Sequence, residues 1–430
     1  MTERHSIRRA EEPLRILMVG TGENYHLEPL ARCIRIADPS CRIACHGLFR
    51  LLPDGRRDYL TSSSAFDAVY QLPQKRSVQF RPRRPGATAE SMSQGTNRRL
   101  WLTGLRVAYR AARWSWASHK WRRHFEPLLA SIDIVHLQSL FPTAAYAWLL
   151  GGIRKPLVIS CWGSDILRES DPSLTLGHLH LLNSAGAITT TGIENREVIL
   201  AKYGRRLEAR LYDTYFNPGI QPLLNRLGSV PPRYVRGCEG KWRVCLGHNG
   251  FEQGNHRRLL ASVAKLPESV KQHIELLIPM TYGATLSYRE EIRRLARDAG
   301  CTFRLFDAFM PPEAMVALRR DTDILVFAAV SDGFSATVSQ ALAAASVVIV
   351  GAWLPYKTRR MTGFHYHEMH SPDDAGTVLA TILHDWRSEC DKAVANSSLA
   401  ATLFAERRLG EGWLKAYQGA LDSSRGQVQL

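Results

Sequence analysis

The stretch that decides the fold of this chain is Ser331–Tyr356, which reads SDGFSATVSQALAAASVVIVGAWLPY. A loop with Asp332 and Gly333 leads into a predicted helix, and the apolar run 347–350 after it indicates a buried strand. The free N–H groups and the dipole of a helix N-terminus can hold a diphosphate. Gly333 allows close backbone approach, and Gln340, about two turns into the helix, could reach a nucleoside. The stretch predicts an anion-binding turn, although an ordinary α/β domain without a ligand has the same layout.

The length and composition of the chain restrict the kinds of protein that it can form. A chain of 430 residues with 45% hydrophobic residues is too long for one ordinary core and fits two α/β domains. No apolar run approaches the roughly 18–20 residues of a membrane span, and we expect no signal peptide. The eight cysteines include no CxxC pair, which favours reduced thiols in a cytoplasmic protein without structural zinc.

Predicted strands alternate with predicted helices along both halves of the chain. In the first half, the apolar run 15–19 is followed by a glycine turn and a helix over about 26–37. Such alternation predicts parallel pairing with helices on both faces of each sheet, which is an α/β fold of two Rossmann-like domains. Further strands are expected at 40–47, 133–137, 156–161, 185–191, 242–247, 274–279, 301–306, 323–328 and 347–350.

A segment rich in proline and glycine divides the two halves. Residues 223–240 contain two consecutive prolines and three glycines, a composition typical of a linker. We therefore expect a first domain over 1–222 and a second domain over 241–397. The tail 398–430 is amphipathic and predicts a C-terminal helix.

The positive charge of the chain, a formal net +16, is concentrated in residues 75–123. This segment holds thirteen basic residues and one acidic residue, Glu90, with Trp101, Trp116 and Trp121 interleaved. A basic helix with large aromatic residues suits an anionic membrane surface, where each nearby cation contributes about 1 kcal/mol. A solvated face and a nucleic-acid groove are the alternatives for this pattern. The basic residues are Lys75, Arg76, Arg81, Arg83, Arg84, Arg98, Arg99, Arg106, Arg110, Arg113, Lys120, Arg122 and Arg123.

The segment after the predicted strand 156–161 carries residues expected at the carboxyl edge of the first sheet. In an open α/β sheet this edge lines the ligand crevice. Asp165 could act there as a base on a hydroxyl or bind a sugar hydroxyl, or it could cap the short helix that follows. Four further residues of the first domain are predicted to face the crevice: Gly22, His26, Trp162 and Gly163.

The second domain contains residue types that suit a phosphorylated ligand. After the strand 242–247, Gly247 and Gly250 permit a phosphate to approach, and amide or imidazole groups nearby can donate hydrogen bonds to it. Tyr282 could stack on a base or bond a phosphate, although a core aromatic at a strand end gives the same pattern. The predicted binding residues of this domain are Gly247, Asn249, Gly250, Asn255, His256, Tyr282, Asp332, Gly333, Phe334, Ser335 and Gln340.

The glycine turn after the first strand, Gly20-Thr21-Gly22, is a weak dinucleotide signature. It has the first two glycines of GxGxxG but Tyr25 at the third, where a side chain would spoil close packing of helix and strand. The sequence therefore argues against nicotinamide or flavin binding, and we expect no cofactor.

These motifs together resemble those of glycosyltransferases of the two-Rossmann (GT-B) type. The resemblance is to the bacterial Fuc4NAc (4-acetamido-4,6-dideoxygalactose) transferase family and, more broadly, to GT4-type glycosyltransferases, and it covers roughly residues 155–350. Where this chain has Asp332 and Gln340, the family pattern usually has Glu at both positions. The motifs that carry the resemblance are WGSD at 162–165, GHNG at 247–250, PMTY at 279–282, Tyr288, Glu291, Asp332-Gly333-Phe334 and Gln340.

The resemblance implies sugar transfer from a nucleotide-diphosphate donor, such as a dTDP-linked deoxyaminosugar, to a lipid-linked or polysaccharide acceptor in cell-surface glycan synthesis. It also implies that the second domain binds the donor and that the first binds the acceptor and the inner face of the plasma membrane. The last helix would then cross back to the first domain. Asp321-Thr322-Asp323 precedes its strand, on the wrong side for the crevice, so we expect metal-independent transfer.

Two other functions remain as alternatives at this point. A nucleotide-sugar epimerase of the same fold would need neither membrane nor acceptor. A basic nucleic-acid-binding protein would bind DNA with steep salt dependence and would not bind nucleotide sugars. Of the three, we favour the transferase, with no nucleic acid as a partner.

Overall fold

The computed structural model of the chain describes most of both predicted domains. Gly22 and Phe334, the side chain of His26 and nearly all of the basic segment 75–123 lie outside the described residues. The described ranges are 12–19, 24–47, 49–51, 57–71, 125–140, 155–168, 172–214, 221–227, 240–333 and 335–426, together with isolated positions between 105 and 152.

The first half of the chain forms a parallel sheet. Its strands are β1 (Arg15–Val19), β2 (Arg42–His46), β5 (Ala68–Tyr70), β6 (Ile134–Leu137), β7 (Leu157–Ser160), β8 (Ala187–Thr190) and β9 (Leu211–Asp213). The order is β5-β2-β1-β6-β7-β8-β9, and neighbouring strands are parallel. Two short strands, β3 (Phe49–Leu51) and β4 (Arg57–Tyr59), form a separate antiparallel pair.

Helices cover both faces of this sheet, which explains why its strands are apolar throughout. In β1, Leu17 and Val19 pack into one core cluster, and Ile16 and Met18 pack into the cluster on the opposite face. The helices of this half include α1 (Asn24–Ala37), α2 (Ser164–Leu167), α3 (Pro172–Ser184) and α4 (Ile193–Tyr203), followed by a 3₁₀ turn over Arg205–Arg210. Residues 125–130 are also helical.

The second half forms a parallel sheet of six described strands. They are β10 (Trp242–Leu246), β11 (Ile274–Pro279), β12 (Thr302–Phe306), β13 (Ile324–Phe327), β14 (Val347–Gly351) and β15 (His367–Met369), in the order β12-β11-β10-β13-β14-β15. The helices are α5 (Gln221–Leu227), α6 (His256–Ala264), α7 (Glu268–Lys271), α8 (Leu286–Asp298), α9 (Pro312–Asp321), α10 (Ala336–Ala343), α11 (Lys357–Met361), α12 (Ala375–His384), α13 (Trp386–Leu403) and α14 (Glu406–Gly426).

The second domain begins earlier in the chain than its expected bound at 241. Leu227 of α5 is buried in the same core cluster as Leu325 and Phe327 of β13. Arg226 pairs with Glu313 of α9 at 2.6 Å. The first part of the expected linker is therefore a helix of the second domain, because the apolar side of α5 needs a core to pack on.

The tail is two helices, where one was expected from 398 onwards. The break falls at Phe404, which is buried and stacks on Phe364 of the second domain with 6.0 Å between ring centroids. Residues 398–403 therefore end α13 in the second domain. The next helix, α14, crosses to the first domain, where Trp413 and Tyr417 are buried in the same cluster as Ile16.

Candidate active site

Loops of the two domains meet where the carboxyl ends of both sheets face each other. Gly163 after β7 and Gly333 after β13 are in direct backbone contact. A Cβ at Gly333 would lie 2.5 Å from the carbonyl oxygen of Trp162 and 2.6 Å from the Cα of Gly163. Gly163 has a φ of +104°, and a Cβ there would overlap the Cα of Gly333. The close approach of the domains therefore requires glycine at both positions.

Hydrogen bonds hold the loop before α10 against the first domain. The carbonyl oxygen of Gly333 accepts from Thr191 Oγ1 at 2.7 Å and from Asn195 Nδ2 at 3.1 Å. Arg168 donates to the hydroxyl of Ser331 at 2.8 Å and to its carbonyl oxygen at 2.5 Å. The loops after β7 and β8, two neighbouring strands of the first sheet, thus both form hydrogen bonds with the same loop of the second domain.

A second set of contacts joins α4 to α11. Glu194 accepts hydrogen bonds from the backbone N–H of Thr358, at 2.7 Å, and from its hydroxyl. That hydroxyl also accepts from the backbone N–H of Ile193 at 3.2 Å, and the buried Arg359 donates to the carbonyl oxygen of Thr191. These residues were not predicted from the sequence, because each partner is at least 164 positions away. We call the whole set the interdomain contact: residues 162–168 and 191–195 against residues 331–333 and 358–359.

Asp165, the expected catalytic base, is fully buried within the first domain. One carboxylate oxygen accepts from the backbone N–H groups of Trp162 (2.9 Å) and Gly163 (3.0 Å). The other accepts from Ser139 Oγ (3.1 Å) and the backbone N–H of Leu140 (3.0 Å). Burial raises the pKa of Asp165, and hydrogen bonds from Leu140, Trp162 and Ser139 offset part of the rise.

These contacts contradict the helix-cap interpretation of Asp165, whereas its catalytic role stays a prediction. A base needs an oxygen within reach of the substrate, and a helix cap accepts from the N–H groups of the first turn. The carboxylate of Asp165 instead ties the loop after β6 to the loop after β7. It therefore positions Trp162 and Gly163, whose backbone lies against Gly333.

The turn after β10 packs against the end of β11. The backbone N–H of Gly250 donates to the carbonyl oxygen of Tyr282 at 2.8 Å, and a Cβ at Gly250 would lie 2.5 Å from the Cβ of Ala284. The Asn249 side chain accepts from the backbone N–H of Phe251 at 3.1 Å and donates to the Tyr282 hydroxyl at 3.3 Å. The structure thus brings three predicted binding residues together.

Tyr282 and Phe251 form an exposed aromatic pair beside this turn. Their side chains are 44% and 48% exposed, and the rings meet edge to face with 5.8 Å between centroids. Tyr282 is therefore not a core aromatic, which was the alternative interpretation of its position. An exposed ring at the carboxyl end of a sheet can stack on a nucleoside base.

Asn255 and His256 form hydrogen bonds within the second domain. Asn255 adopts a left-handed conformation, with φ 59°, and its amide donates to the carbonyl oxygen of Ala328 at 2.7 Å. His256 is fully buried, with Nδ1 3.2 Å from the Tyr288 hydroxyl and Nε2 directly beneath Gly247. Burial lowers the pKa of His256 to about 4, so the ring is neutral at pH 7. Both side chains thus have contacts inside the second domain, and their expected ligand contacts stay a prediction.

The N-terminus of α10 is organised by a buried tyrosine. Ser335 caps the helix by accepting from the backbone N–H of Thr337 at 3.2 Å. The backbone N–H of Ser335 donates to the hydroxyl of Tyr356 at 3.1 Å, and that hydroxyl donates to the Asp332 carboxylate at 2.5 Å. Burial and the neighbouring carboxylate raise the pKa of Tyr356 well above its usual value. Tyr356 therefore fixes the half-buried Asp332 at the start of the helix.

Gln340 contacts a buried cation of the second domain. Its side-chain oxygen accepts from Nε of Arg319 at 3.1 Å, and Arg319 also donates to the hydroxyl of Thr337 at 3.3 Å. Burial lowers the pKa of Arg319. Burial, and then the nearby Arg319, lower the pKa of His248 in the turn after β10 to about 3. Gln340 thus orients Arg319 behind the turn, a role that the spacing alone did not indicate.

Comparison with solved structures identifies the overall fold. No protein-family model matches the chain, and no curated protein matches it. The chain is similar to a glycosyltransferase from Rickettsia africae (TM-score 0.64, 10% identity, covering 95% of this chain and 99% of that one). It is also similar to sucrose-phosphate synthase from Thermosynechococcus elongatus (0.61, 12%, 94% and 98%) and to HepE from Anabaena in complex with UDP (0.59, 13%, 94% and 99%).

These matches extend over both domains of each structure. They confirm the expected fold class, two Rossmann-like domains facing across a cleft in the GT-B arrangement. The low sequence identities mean that the comparison concerns the fold alone.

Proposed function

We propose that this chain is a glycosyltransferase that moves a sugar from a nucleotide-diphosphate donor to an acceptor. The observation that carries the proposal is the interdomain contact, which joins the loop before α10 to the turn at Gly163. A ligand beside that loop lies between the carboxyl ends of two parallel sheets, where open α/β folds bind their ligands. The similar structures named as a glycosyltransferase and as sucrose-phosphate synthase, and HepE solved with UDP, support this choice.

The donor occupies the second domain in this proposal. Its diphosphate binds near the N-terminus of α10, where Ser335 caps the helix and the dipole favours an anion. The nucleoside packs toward the exposed pair of Tyr282 and Phe251, and the Asp332 carboxylate accepts a hydrogen bond from a sugar hydroxyl. The buried Arg319, which contacts Gln340 and Thr337 of α10, adds positive charge near the proposed diphosphate without being exposed to solvent. Transfer is metal-independent, since these groups supply the positive potential that a diphosphate leaving group needs.

The acceptor occupies the first domain and is a lipid-linked or polysaccharide glycan in cell-surface synthesis. The cationic segment 75–123 would hold the protein on the anionic inner face of the plasma membrane. Among the described residues, no helix has the length and apolarity needed to cross a bilayer. None of the similar structures is named as a Fuc4NAc transferase, so the proposal of a deoxyaminosugar donor rests on the sequence motifs alone.

A thermal-shift panel tests the donor proposal. The purified protein is titrated with dTDP, UDP and GDP and with their sugar conjugates. A nucleotide that binds the folded state stabilises it by RT ln(1 + [L]/Kd), about 2.7 kcal/mol at a concentration of 100 Kd. We expect one nucleotide to raise the melting temperature, and Tyr282→Ala to reduce that shift more than Phe309→Ala, an exposed aromatic on another loop.

The outcomes separate the candidate functions. Stabilisation by one nucleotide sugar, followed by transfer to an acceptor, supports the glycosyltransferase. Conversion of the bound sugar without an acceptor would identify an epimerase. No nucleotide binding, together with salt-sensitive DNA binding, would replace the proposal with a nucleic-acid-binding protein.

A further inference from the structure

Two histidines and a glutamate form a compact cluster on the second domain, on elements that contribute nothing to the interdomain contact. His367 is the first residue of β15 and His365 lies two positions before it, so alternation along this extended segment places both side chains on the same face. Glu389 projects from α13 between them. One ligand atom from each of the three residues lies within 4.8 Å of the others.

Hydrogen bonds join α13 to the segment that leads into β15. The Asn396 amide accepts from the backbone N–H of His365 at 2.8 Å and donates to its carbonyl oxygen at 2.6 Å. Asn396 is buried and lies on α13, about two turns after Glu389. His367 is fixed by the parallel pairing of β15 with β14, opposite Ile349. The backbone positions of all three residues are therefore set by contacts outside the cluster.

The distances within the cluster fit a small divalent cation with nitrogen and oxygen ligands. Nε2 of His367 lies 2.6 Å from Oε2 of Glu389, and Nε2 of His365 lies 3.4 Å from the same oxygen. A tetrahedral zinc ion with bonds of about 2.0 Å separates its ligand atoms by about 3.3 Å. The distance from His365 to Glu389 already matches, and the distance from His367 to Glu389 needs to open by less than about 1 Å. The ligand nitrogens of the two histidines lie within 4.8 Å of each other.

The carboxylate of this cluster is buried, and its two imidazole rings are partly exposed. The side-chain exposure is 6% for Glu389, 23% for His367 and 37% for His365. Nε2 of His365 is itself buried, and its contact with Oε2 of Glu389, at 3.4 Å, is long for a hydrogen bond. A buried polar atom that is poorly satisfied is costly, and a metal ion would satisfy it.

We propose that His365, His367 and Glu389 bind a zinc-class divalent metal ion, with water as the fourth ligand. Two neutral imidazoles and a carboxylate are a recurrent ligand set for zinc and the metals near it. Binding requires the lone pair of His367 Nε2, so the proton on that nitrogen moves to Nδ1 by exchange with solvent and the imidazole stays neutral. The ion would tie the edge strand β15 to α13 and stabilise the second domain. This proposal is independent of the transferase chemistry, which we expect to need no metal.

Lys392 lies next to Glu389, where its positive charge would repel a bound metal ion, and this repulsion gives a test of the ion's position. Its ammonium group bonds Oε1 of Glu389 at 2.8 Å, which leaves Oε2 to face the two histidines. The positive charge next to the carboxylate weakens the binding of a second cation. Removing the charge should therefore tighten metal binding, provided that Glu389 is a ligand.

The experiment uses the full chain after treatment with a chelator. Zn²⁺ binding is measured by calorimetry at pH 7.5, and Co²⁺ binding by its visible absorption, whose intensity is high for a four-coordinate site. We expect one ion per chain, a raised melting temperature and the spectrum of a tetrahedral site. His367→Asn and Glu389→Gln should weaken binding at least about tenfold, whereas the exposed His370→Asn should leave it unchanged. Lys392→Met should strengthen it.

Some outcomes would overturn the proposal. One is an absence of Zn²⁺ and Co²⁺ binding by the unmutated protein. Another is binding that His370→Asn abolishes, or that survives both His367→Asn and Glu389→Gln. Two of these tests stay valid even if Glu389→Gln fails to fold. They are the Co²⁺ spectrum of the unmutated protein and the effect of Lys392→Met, whose side chain is half-exposed.

Discussion

At the scale of single residues, Gly333 is constrained by the first domain. From the sequence, its missing side chain was expected to leave room for a phosphate, but the position of a Cβ is filled by the backbone of Trp162 and Gly163. Gly333→Val should therefore leave each domain folded and prevent the interdomain contact from forming. Displacements of about 1 Å can cost about 100-fold in rate, so we expect at least that loss of turnover with a smaller effect on nucleotide affinity.

A nearby glycine supplies the control for this variant. A Cβ at Gly192, beside the same contact, would meet its nearest atoms at ordinary distances of 3.4 and 3.5 Å. Gly192→Ala should therefore keep near-native turnover and a closed shape in small-angle scattering, whereas Gly333→Val should be more open. Equal turnover in the two variants would show that closure at Gly333 is not required.

The buried carboxylate of Asp165 gives a second prediction at this scale. An asparagine would keep one acceptor oxygen but would turn an N–H₂ group toward two of the four donors. Asp165→Asn should therefore destabilise the first domain by about 1–3 kcal/mol, measured by urea unfolding. Ser139→Ala, which removes one donor only, should cost less. A native unfolding curve with greatly reduced turnover would instead support the catalytic role expected from the sequence.

Residue roles were harder to predict than residue positions. The glycines and polar groups after β7, β10 and β13 were found from the sequence because loops at strand ends have recognisable composition. What each side chain contacts depends on distant parts of the chain. Asp165 bonds a loop 25 positions earlier and Gln340 bonds an arginine 21 positions earlier, and the local pattern around neither residue shows this.

At the scale of elements, the long apolar runs gave the central strands of both sheets. Buried strands of a parallel sheet are apolar on both faces, so their sequences stand out. The short strands β5, β9 and β15 were not predicted, because three residues carry too little periodicity. The tail was expected to be one helix because an amphipathic pattern continues through Phe404. The apolar side of the tail packs on the second domain up to Phe404 and on the first domain after it.

Helix α14 offers a test of how closely the tail packs on the first domain. A Cβ at Gly410 would overlap the carbonyl oxygen of Cys33 in α1, whereas a Cβ at Gly412 would have its nearest contact at 4.0 Å. Gly410→Ala should destabilise the protein by about 1–3 kcal/mol through this clash. Gly412→Ala should be neutral or stabilising by up to about 1 kcal/mol, since alanine favours a helix. Urea unfolding of the matched pair measures the difference, and equal stabilities would mean that α14 is not docked at Gly410.

At the scale of the whole molecule, the two-domain plan was predictable and the way the domains meet was not. Strand–helix alternation that restarts after a proline-rich segment predicts two α/β units, and the solved structures confirm that arrangement. The interdomain contact depends on pairs such as Glu194 with Thr358, which come together only when both domains are folded and docked. A single sequence holds no local signal for such pairs.

At the scale of the whole molecule, three histidines with strongly lowered pKa values also predict how its stability responds to acid. Burial lowers the pKa of His136 and His248 to about 3 and that of His256 to about 4. These rings are neutral in the folded chain, while in the unfolded chain they bind protons below about pH 6.5. The unfolded state therefore binds more protons as the pH falls, and the free energy of unfolding decreases. The loss begins near pH 6.5 and continues to the folded pKa values.

We expect each histidine to remove up to about 1.4 kcal/mol of stability per pH unit within this window. His256→Gln can keep a hydrogen bond to Tyr288 but cannot take up a proton, so its free energy of unfolding should fall less steeply between pH 6.5 and 4. Urea unfolding at half-unit pH steps measures both slopes, and the exposed His370→Asn serves as the control because it should follow the unmutated curve. A His256→Gln curve parallel to that of the unmutated protein would mean that His256 is protonated as readily in the folded chain as in the unfolded one.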